Sequence, residues 1–381
     1  MGLEGSLRGL RVLDFSRVFA GPVCTQMLAD LGAEVLKIER PGLGDDTRAW
    51  GPPFAGGESA YFLCLNRGKR SLILDLADPD DLTRARALAL RADVVVENFR
   101  AGWMAERGLG YPELRAEHPG LVYCSITACG QDGPDAALPG YDFLTQGRAG
   151  LMSVTGAPDG PPMKVGVAVS DLITGLHAAT GILAALRERD RTGGGCYLDL
   201  SLLDCQVAGL ANVASNYLVS GEHPARYGNA HPNIVPYEVF AAADGPLILA
   251  VGNDTQWRRC CAALERPEWA DDPRFRTNAA RVEHRHALGA LLKAVFTQRP
   301  RVEWLARLQD AGVPAGPVQS VDEVFRDPQL LARGMLQEMD HPTAGPLAAV
   351  ANPLLRAATP PTAPPLLGEG GDELAERWLA G

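Results

Sequence analysis

The sequence predicts an α/β fold in which a parallel sheet is followed by a smaller α+β domain. Strand-like and helix-like segments alternate through the first half of the chain, and composition changes near residue 221, where a polar, proline-containing stretch begins. Hydrophobic residues make up 46% and charged residues 22% of the 381 residues, values typical of a globular protein. The length favours two or three domains.

The alternation begins with a βαβ unit. Residues 11–16 predict a strand, residues 21–31 a helix that ends before Gly32, and residues 34–39 a second strand. Later segments repeat the pattern: strand 71–76, helix 80–92, strand 93–99 and strand 121–127. This alternation indicates a parallel sheet covered on both faces, and such sheets bind ligands at the carboxyl ends of their strands.

A second set of elements follows the alternating region. A strong helix is predicted at 171–189, a strand at 197–202 and a further helix to about residue 219. Residues 221–236 are predicted to be a linker. A hairpin of strands 237–242 and 247–251 and helices near 254–264, 284–297 and 301–311 then predict the smaller domain. The chain after residue 328 is predicted to be irregular, and the prolines of 360–365 indicate an extended segment that lies across another surface.

Charge and cysteine usage exclude several classes of function. A net charge of −10 argues against nucleic acid as the main partner, because that binding needs a basic face. No signal peptide pattern opens the chain and no apolar run approaches about 18 residues, so no membrane partner is expected. The eight cysteines form no C-x-x-C pair and the seven histidines no H-E-x-x-H. We therefore expect free thiols in a reducing compartment and no metal.

Phosphate-binding signatures give a mixed result. The first βα turn, residues 16–22, is not G-x-G-x-x-G, and Gly193-Gly194-Gly195 is not followed by Lys, so nicotinamide dehydrogenase and P-loop functions are disfavoured. Arginine is nevertheless well suited to phosphate, and basic residues are predicted in loops at one edge of the sheet. These residues are Arg40, Arg48, Lys69, Arg70 and Arg100.

Asp171 is the candidate nucleophile. It follows the apolar run 165–170 and begins the strong helix. The residues alone leave two interpretations open: a cap or first-turn carboxylate stabilised by the helix dipole, or an ionised nucleophile in an apolar cleft. Asp142 follows Tyr141 in a loop and would cap the next helix. Asn98 ends a strand, where its amide would cap a helix or contact a ligand.

Taken together, these segments resemble the family III CoA-transferases, the CaiB/BaiF group. The resemblance extends in register over essentially the whole chain and is carried by residues 12–22, 31–39, 44–48, 97–100, 139–142, 171–175, 322–334 and 365–369. It implies a Rossmann-like large domain and a small domain in an interlocked homodimer. The active site would lie where the large domain of one subunit meets the small domain of the other. The expected divisions are 1–205 (large CoA-binding domain), 206–230 (helix and linker), 231–325 (small domain) and 326–381 (a segment returning to the large domain).

The resemblance also implies the chemistry and the site. Asp171 matches the family nucleophile, which forms an acyl–aspartyl anhydride and then an aspartyl–CoA thioester. CoA or acyl-CoA is then a substrate, and no permanently bound cofactor is expected. Arg40 would face the CoA phosphates. The expected CoA contacts are Val18, Ala20, Arg40, Leu74, Asn98, Phe99, Arg100 and Tyr141.

Departures from the family pattern narrow the expected reaction. Phe19 stands where formyl-CoA transferases often have Gln, and Glu106, followed by Arg107, stands where the family usually has Arg. The glycine-rich loop of formyl-CoA transferases has no counterpart, which disfavours formyl or oxalyl exchange. The related racemases carry His where this chain has Tyr141, and a tyrosine is too weakly basic for that role.

Residues 228–237 are similar to the subgroup that includes succinyl-CoA:glutarate CoA-transferase. We therefore expect a cytoplasmic homodimeric enzyme that transfers CoA from a dicarboxylyl-CoA, such as succinyl-CoA, to a carboxylic acid. The alternatives are a 2-methylacyl-CoA racemase-like isomerase and a non-catalytic CoA-binding protein.

Overall fold

The computed structural model describes residues 3–355 and 361–381, which form two compact units. The first unit is drawn from Met1–Leu151, Lys164–Glu222 and Phe325–Gly381, and the second from Met152–Met163 and His223–Val324. The domain divisions expected from the sequence stay predictions.

A six-stranded parallel sheet forms the centre of the first unit. The strands before residue 205 are β1 (Arg11–Asp14), β2 (Glu34–Glu39), β3 (Phe54–Ala55), β4 (Glu58–Ser59), β5 (Lys69–Ile73), β6 (Val94–Glu97), β7 (Val122–Thr127) and β8 (Tyr197–Ser201). The sheet has the order β5-β2-β1-β6-β7-β8, while β3 and β4 form a separate antiparallel pair. The predicted α/β fold with a parallel sheet is confirmed. Because the strand order reverses at β1, a ligand crevice is expected at the carboxyl ends of β1 and β6.

Helices and two apolar layers cover this sheet. The helices before residue 222 are α1 (Ala20–Asp30), α2 (Ala60–Leu63), α3 (Pro79–Ala89), α4 (Tyr111–Glu117), α5 (Asp142–Arg148), α6 (Leu151–Val154), α7 (Val169–Thr192), α8 (Leu202–Ala208) and α9 (Ala211–Ser220). Neighbouring strand residues point to opposite faces, so Val12 and Leu13 of β1 belong to different buried clusters. The continuous run Val94–Val96 is fully buried, as expected for a parallel strand covered on both faces.

The helix that carries Asp171 begins two residues earlier than predicted, at Val169, and ends before Gly193 in the left-handed conformation. By length and composition, α7 would be able to cross a membrane, but half of its most apolar window is buried in the protein. The core helix of a soluble protein satisfies the same criterion, so this is weak evidence for a membrane span. The single helix predicted to end near residue 219 is instead divided between α8 and α9 around Gly209 and Leu210.

The second unit combines a three-stranded sheet with helices. Its elements are β9 (Tyr237–Ala241), β10 (Pro246–Ala250), α10 (Asp254–Ala263), α11 (Asn278–Glu283), α12 (Arg285–Phe296), α13 (Arg301–Asp310), β11 (Ala315–Pro317) and α14 (Val321–Val324). The predicted β9–β10 hairpin is confirmed, and β11 adds to it in the order β11-β10-β9. Trp257, Phe296 and Trp304 are buried in its apolar core. Short 3-10 turns occur in both units, at Asp46–Ala49, Ala105–Arg107 and Pro267–Ala270.

The C-terminal segment is more regular than predicted. It contains α15 (Pro328–Ala332), a hairpin of β12 (Leu336–His341) and β13 (Gly345–Val350), and α16 (Gly371–Ala380). The prediction of an irregular tail was wrong because β12 buries only Met339 and His341 and β13 buries none of its residues, so the sequence shows little apolar alternation there. Pro360, the first residue of the predicted proline-rich run, falls within 356–360 and lies outside the described residues.

Candidate active site

A cavity of about 220 Å³ lies at the carboxyl ends of β1, β6 and β7, where the strand order reverses. It is smaller than the roughly 300–1,000 Å³ of pockets that enclose a whole drug-sized ligand, so it has room for the reacting end of a larger molecule. Most of the site residues expected from the sequence line it, namely Val18, Ala20, Asn98, Phe99, Arg100, Tyr141 and Asp171.

Asp171 lies in the first turn of α7, but it does not cap the helix. The capping acceptor is Asp142, whose Oδ1 accepts hydrogen bonds from the backbone N–H of Ser170 at 2.8 Å and of Asp171 at 3.4 Å. The expectation that Asp142 caps the next helix in the chain is therefore corrected, since it caps α7 instead. This arrangement leaves the Asp171 carboxylate free to face the cavity.

The pKa of Asp171 is raised to about 7, first by burial and second by the negative charge of Asp142. Only 9% of the residue is exposed. A carboxylate in this setting loses the hydration that would otherwise reduce its nucleophilicity, while remaining ionisable near neutral pH. The capping interpretation of Asp171 is therefore wrong, and the nucleophile interpretation stays a prediction.

Gln146 on α5 holds the Asp142 side chain in place by a hydrogen bond. Its Oδ2 accepts a hydrogen bond from Gln146 Nε2 at 2.7 Å, and Gln146 Oε1 accepts one from the backbone N–H of Val165 at 2.8 Å. Ser170 Oγ in turn donates to Gln206 Oε1 at 2.8 Å. These contacts tie the segment before α7 to α5 and α8, and so hold Asp171 in one place.

The loop between β1 and α1 forms the opposite wall of the cavity. Asn98 holds it with two hydrogen bonds, accepting from the backbone N–H of Arg17 at 2.8 Å and donating to the Arg17 carbonyl at 2.7 Å. Val18 has a φ of +71°, a strained conformation for a β-branched residue. Such strain persists where surrounding contacts fix the backbone and is typical of functional loops.

Two buried ion pairs lie next to this loop. Lys37 Nζ contacts Asp45 Oδ2 at 2.9 Å and donates to the carbonyl of Ser16 at 2.7 Å. Lys69 Nζ contacts Asp14 Oδ2 at 3.1 Å, and all four charged side chains are fully buried. The pKa of Asp45 is held well below its usual range: burial opposes this shift, but Lys37 and hydrogen bonds from Thr47 outweigh it. Buried pairs of this kind fix geometry, since breaking one leaves an uncompensated charge.

Comparison with known proteins identifies the family. The family model described as "CoA-transferase family III" matches residues 7–370. A succinate–glutarate CoA-transferase of Agrobacterium fabrum is 48% identical, with 93% of this chain and 90% of that protein covered. The mouse succinyl-CoA:glutarate CoA-transferase is 45% identical, with 95% and 84% covered. A CAIB/BAIF family protein from Brucella suis has a crystal structure that matches with a TM-score of 0.84 and 45% identity, covering 98% and 99% of the two chains.

The chain belongs to CoA-transferase family III. The resemblance found in the sequence motifs is therefore confirmed, and the protein is an enzyme of a family whose substrates are CoA thioesters.

Two of the CoA contacts expected in this family III CoA-transferase do not line the cavity. Leu74 is 2% exposed and packs in the apolar core on one face of the sheet. Arg40 lies outside the lining, but it is paired with Asp46, a residue of the cavity wall.

The predicted cluster of basic residues at one sheet edge is only partly correct. Arg100 lines the cavity, whereas Lys69 is buried with Asp14, and Arg48 is held by Glu39 and Glu58. Arg70 lies on β5, the strand at the edge of the sheet, and does not line the cavity. The error arises because charged residues are expected outside the core unless they are paired, and pairing partners are distant in sequence.

Two residues at or beside this cavity were not predicted from the sequence. Arg17 lines the cavity directly after β1. Tyr61 packs edge-on against Phe19, with ring centroids 6.0 Å apart. Its pKa is raised to about 12, first by burial and next by the charge of Asp171. The signal for Arg17 was its position at a strand end, whereas Tyr61 carries no sequence signal. Among the described residues, no group of His, Cys, Asp and Glu side chains could hold a metal ion.

Proposed function

We propose that the enzyme transfers CoA from a dicarboxylyl-CoA, such as succinyl-CoA, to a carboxylic acid acceptor, with Asp171 as the nucleophile. The observation that carries the proposal is the buried Asp171 carboxylate, which faces the cavity while another carboxylate caps its helix. Relatives named as succinate–glutarate and succinyl-CoA:glutarate CoA-transferases, at 48% and 45% identity, support dicarboxylic acids as substrates.

The proposed first half-reaction has two steps. The Asp171 carboxylate attacks the thioester carbonyl carbon of succinyl-CoA, and the carbon–sulfur bond breaks. CoA leaves as a thiolate, and a mixed anhydride of succinate and Asp171 remains. The thiolate then attacks the Asp171 carbonyl carbon and expels succinate, which leaves an aspartyl–CoA thioester. Covalent catalysis keeps the thioester energy on the enzyme, and a site shielded from water protects the anhydride from hydrolysis.

The second half-reaction reverses these steps with the acceptor. Its carboxylate attacks the aspartyl thioester and releases CoA thiolate, which then attacks the acyl carbon of the new anhydride. The product acyl-CoA leaves and the Asp171 carboxylate is regenerated. No proton is gained or lost overall, so the site needs no acid–base pair across an α-carbon, and no histidine is among the described residues that line the cavity.

The proposal is tested by following CoA transfer from succinyl-CoA to glutarate by chromatography. Asp171→Asn should lower kcat by on the order of a thousandfold or more, because the amide cannot form the anhydride. Glu117→Gln, an exposed carboxylate on α4, is the control and should transfer CoA normally. Full activity in Asp171→Asn would refute the role of Asp171.

The interlocked homodimer and the cytoplasmic location are part of the same proposal. Large apolar side chains are exposed along α7 and α9 of the first unit, among them Leu176, Leu218 and Val219. Burial of exposed apolar side chains favours the association of protein chains. Light scattering on the purified protein should therefore give twice the chain mass of 40.6 kDa, and a monomer mass would refute the dimer.

A further inference from the structure

A second cavity, of about 230 Å³, lies beside the end of β6 and is named here the Glu97 cavity. Glu97, the last residue of β6, lines it together with Tyr123 of β7. Tyr123 belongs to the apolar cluster on one face of the sheet, whereas Ile126, which lines the cavity that Asp171 faces, belongs to the cluster on the other face. Arg100 is the one described residue that lines both cavities, so they are distinct sites.

Glu97 is 3% exposed and is buried without a cationic partner. Three other buried carboxylates of this unit are each paired with a cation: Asp14 with Lys69, Asp45 with Lys37 and Glu39 with Arg48. Among the described residues, Glu97 has only hydrogen bonds, from the backbone N–H of Phe99 to its Oε2 at 2.8 Å and from the Ser125 hydroxyl. Its pKa is raised to about 7, first by burial and also by the charge of Asp199. A buried carboxylate in this state favours the entry of a cation.

Tyrosine rings form the wall of the Glu97 cavity. Tyr111 stacks on Tyr197 with ring centroids 5.4 Å apart, and these rings lie 6.0 and 5.7 Å from the ring of Tyr123. The Tyr123 hydroxyl already donates to the carbonyl of Leu109 at 3.1 Å, so the wall offers ring surface rather than free hydrogen-bonding groups. Aromatic ring faces attract positive charge and are the usual surroundings of bound quaternary ammonium ions.

The size and the charges of this cavity fit an organic cation. A metal ion would need several carboxylates or histidines, and no such group occurs in the part of the chain that the structure describes. A volume of about 230 Å³ is below the roughly 300–1,000 Å³ of drug-sized sites, and so it fits a small molecule. Arg100, the cationic side chain of the lining, is paired with Glu106 at 2.5 Å and therefore leaves the charge of Glu97 uncompensated.

We infer that the Glu97 cavity binds a small organic ammonium ion, with Glu97 as its counter-charge and Tyr111, Tyr123 and Tyr197 as the surrounding rings. The bound cation favours the ionised carboxylate, so near neutral pH its binding releases a proton from Glu97 to the solvent. The inference goes beyond the proposed CoA transfer and does not depend on it, because Asp171 is not part of this cavity.

The test titrates choline, as the probe, into the full-length enzyme in a calorimeter, beside dimethylbutanol, the neutral isostere in which carbon replaces the nitrogen. Choline should bind at least about tenfold more tightly than the alcohol. Glu97→Gln keeps an acceptor for the Phe99 N–H and should weaken choline binding about tenfold or more. Tyr197→Leu keeps an apolar side chain at a partly exposed position and should weaken it by about three- to tenfold. Glu117→Gln, an exposed carboxylate on α4, is the control and should bind as wild type does.

The pH dependence of choline binding gives a second readout. Because the ionised form of Glu97 binds the cation, the Kd for choline should fall about tenfold from about pH 6 to about pH 8, and it should stay constant in Glu97→Gln. The other charged groups beside Glu97 are Asp199 and Arg100. The three tyrosines stay neutral in this range, because burial, the largest cause, raises the pKa of each.

Three results would overturn the inference. Equal affinities for choline and dimethylbutanol would show that the cavity does not select a positive charge. Unchanged binding in Glu97→Gln, with binding lost in Asp171→Asn, would place the cation in the cavity that Asp171 faces. An absence of saturable choline binding below about 10 mM would show that the cavity takes no such cation.

Discussion

In the proposed reaction, Asp171 combines two properties that usually oppose each other, since it is buried and yet carries a charge when it attacks. Burial and the nearby Asp142 raise its pKa to about 7, so near neutral pH part of the enzyme holds the ionised form. Desolvation makes that form reactive, and the free position of the carboxylate comes from Asp142, which caps α7 in its place.

The activity should therefore depend on pH through Asp171. Because only the ionised carboxylate attacks the thioester, kcat/KM should rise with pH and level off above the pKa of about 7. Asp142→Asn removes the repelling charge while its Oδ1 still accepts from Ser170, so the acid limb should move to lower pH, by about one unit or less because burial remains the larger cause. A profile unchanged from wild type would contradict this account, and Glu117→Gln serves as the carboxylate control.

The same pKa shift predicts a cost in stability. The folded pKa of about 7 lies above the ordinary value of 3.8, so the folded state binds more protons between those values and the free energy of unfolding falls as pH rises through this window. Asp171→Asn removes the ionisable group and with it this loss of stability at higher pH. Its Tm should be close to that of wild type near about pH 4 and higher by several degrees near about pH 8. A Tm advantage that does not grow with pH would be inconsistent with the shift.

At the scale of elements, the cavity depends on how closely α7 packs against α1. A side-chain carbon at Gly175 would lie 2.7 Å from the backbone carbonyl of Ala20 and 3.0 Å from Val23. The glycine thus lets the helix that carries Asp171 approach the start of α1, which follows the loop on the opposite cavity wall.

Gly175→Ala should therefore push these helices apart. We expect a loss of about 1–3 kcal/mol in the free energy of unfolding, measured with urea, and a higher KM for succinyl-CoA. Gly181→Ala is the control on the same helix, because its added carbon meets only the flexible Leu198 side chain, at 3.3 Å. That variant should be neutral or stabilised by up to about 1 kcal/mol. Equal effects of the two substitutions would argue against the close approach at Gly175.

The sequence predicted those elements whose residue pattern lies within one short segment of the chain. The parallel strands were predictable, since buried apolar runs such as Val94–Val96 differ clearly from the helices between them. Strand-end positions also placed Asn98 and Arg100 at the cavity. The burial of Lys69, the capping of α7 by Asp142 and the position of Tyr61 depend on residues far apart in the chain, so no local pattern could reveal them.

At the scale of the first unit, the C-terminal segment packs against the parallel sheet. Arg48 donates to the carbonyl of Pro365 at 3.1 Å, and Ser71 on the edge strand β5 pairs with Gly370. Trp378 on α16 is fully buried in the same apolar core as Leu36 and Leu72. The last helix is therefore part of the core rather than an appendage.

Trp378→Ala should accordingly destabilise the protein by about 3–5 kcal/mol, because it leaves a large cavity in that core. The neighbouring variant Arg377→Gln removes an exposed ion pair with Glu34 and should cost less than about 1 kcal/mol. Urea unfolding of both variants measures the difference. A small effect at Trp378 would mean that α16 contributes little to the stability of the sheet.

The covalent role of Asp171 is tested most directly by peptide mass spectrometry of the enzyme mixed with succinyl-CoA. A CoA adduct is expected on the peptide that contains Asp171, present in wild type and Asp142→Asn and absent in Asp171→Asn. An enzyme that transfers CoA to glutarate while its adduct forms on another residue, or while Asp171→Asn stays active, would contradict it.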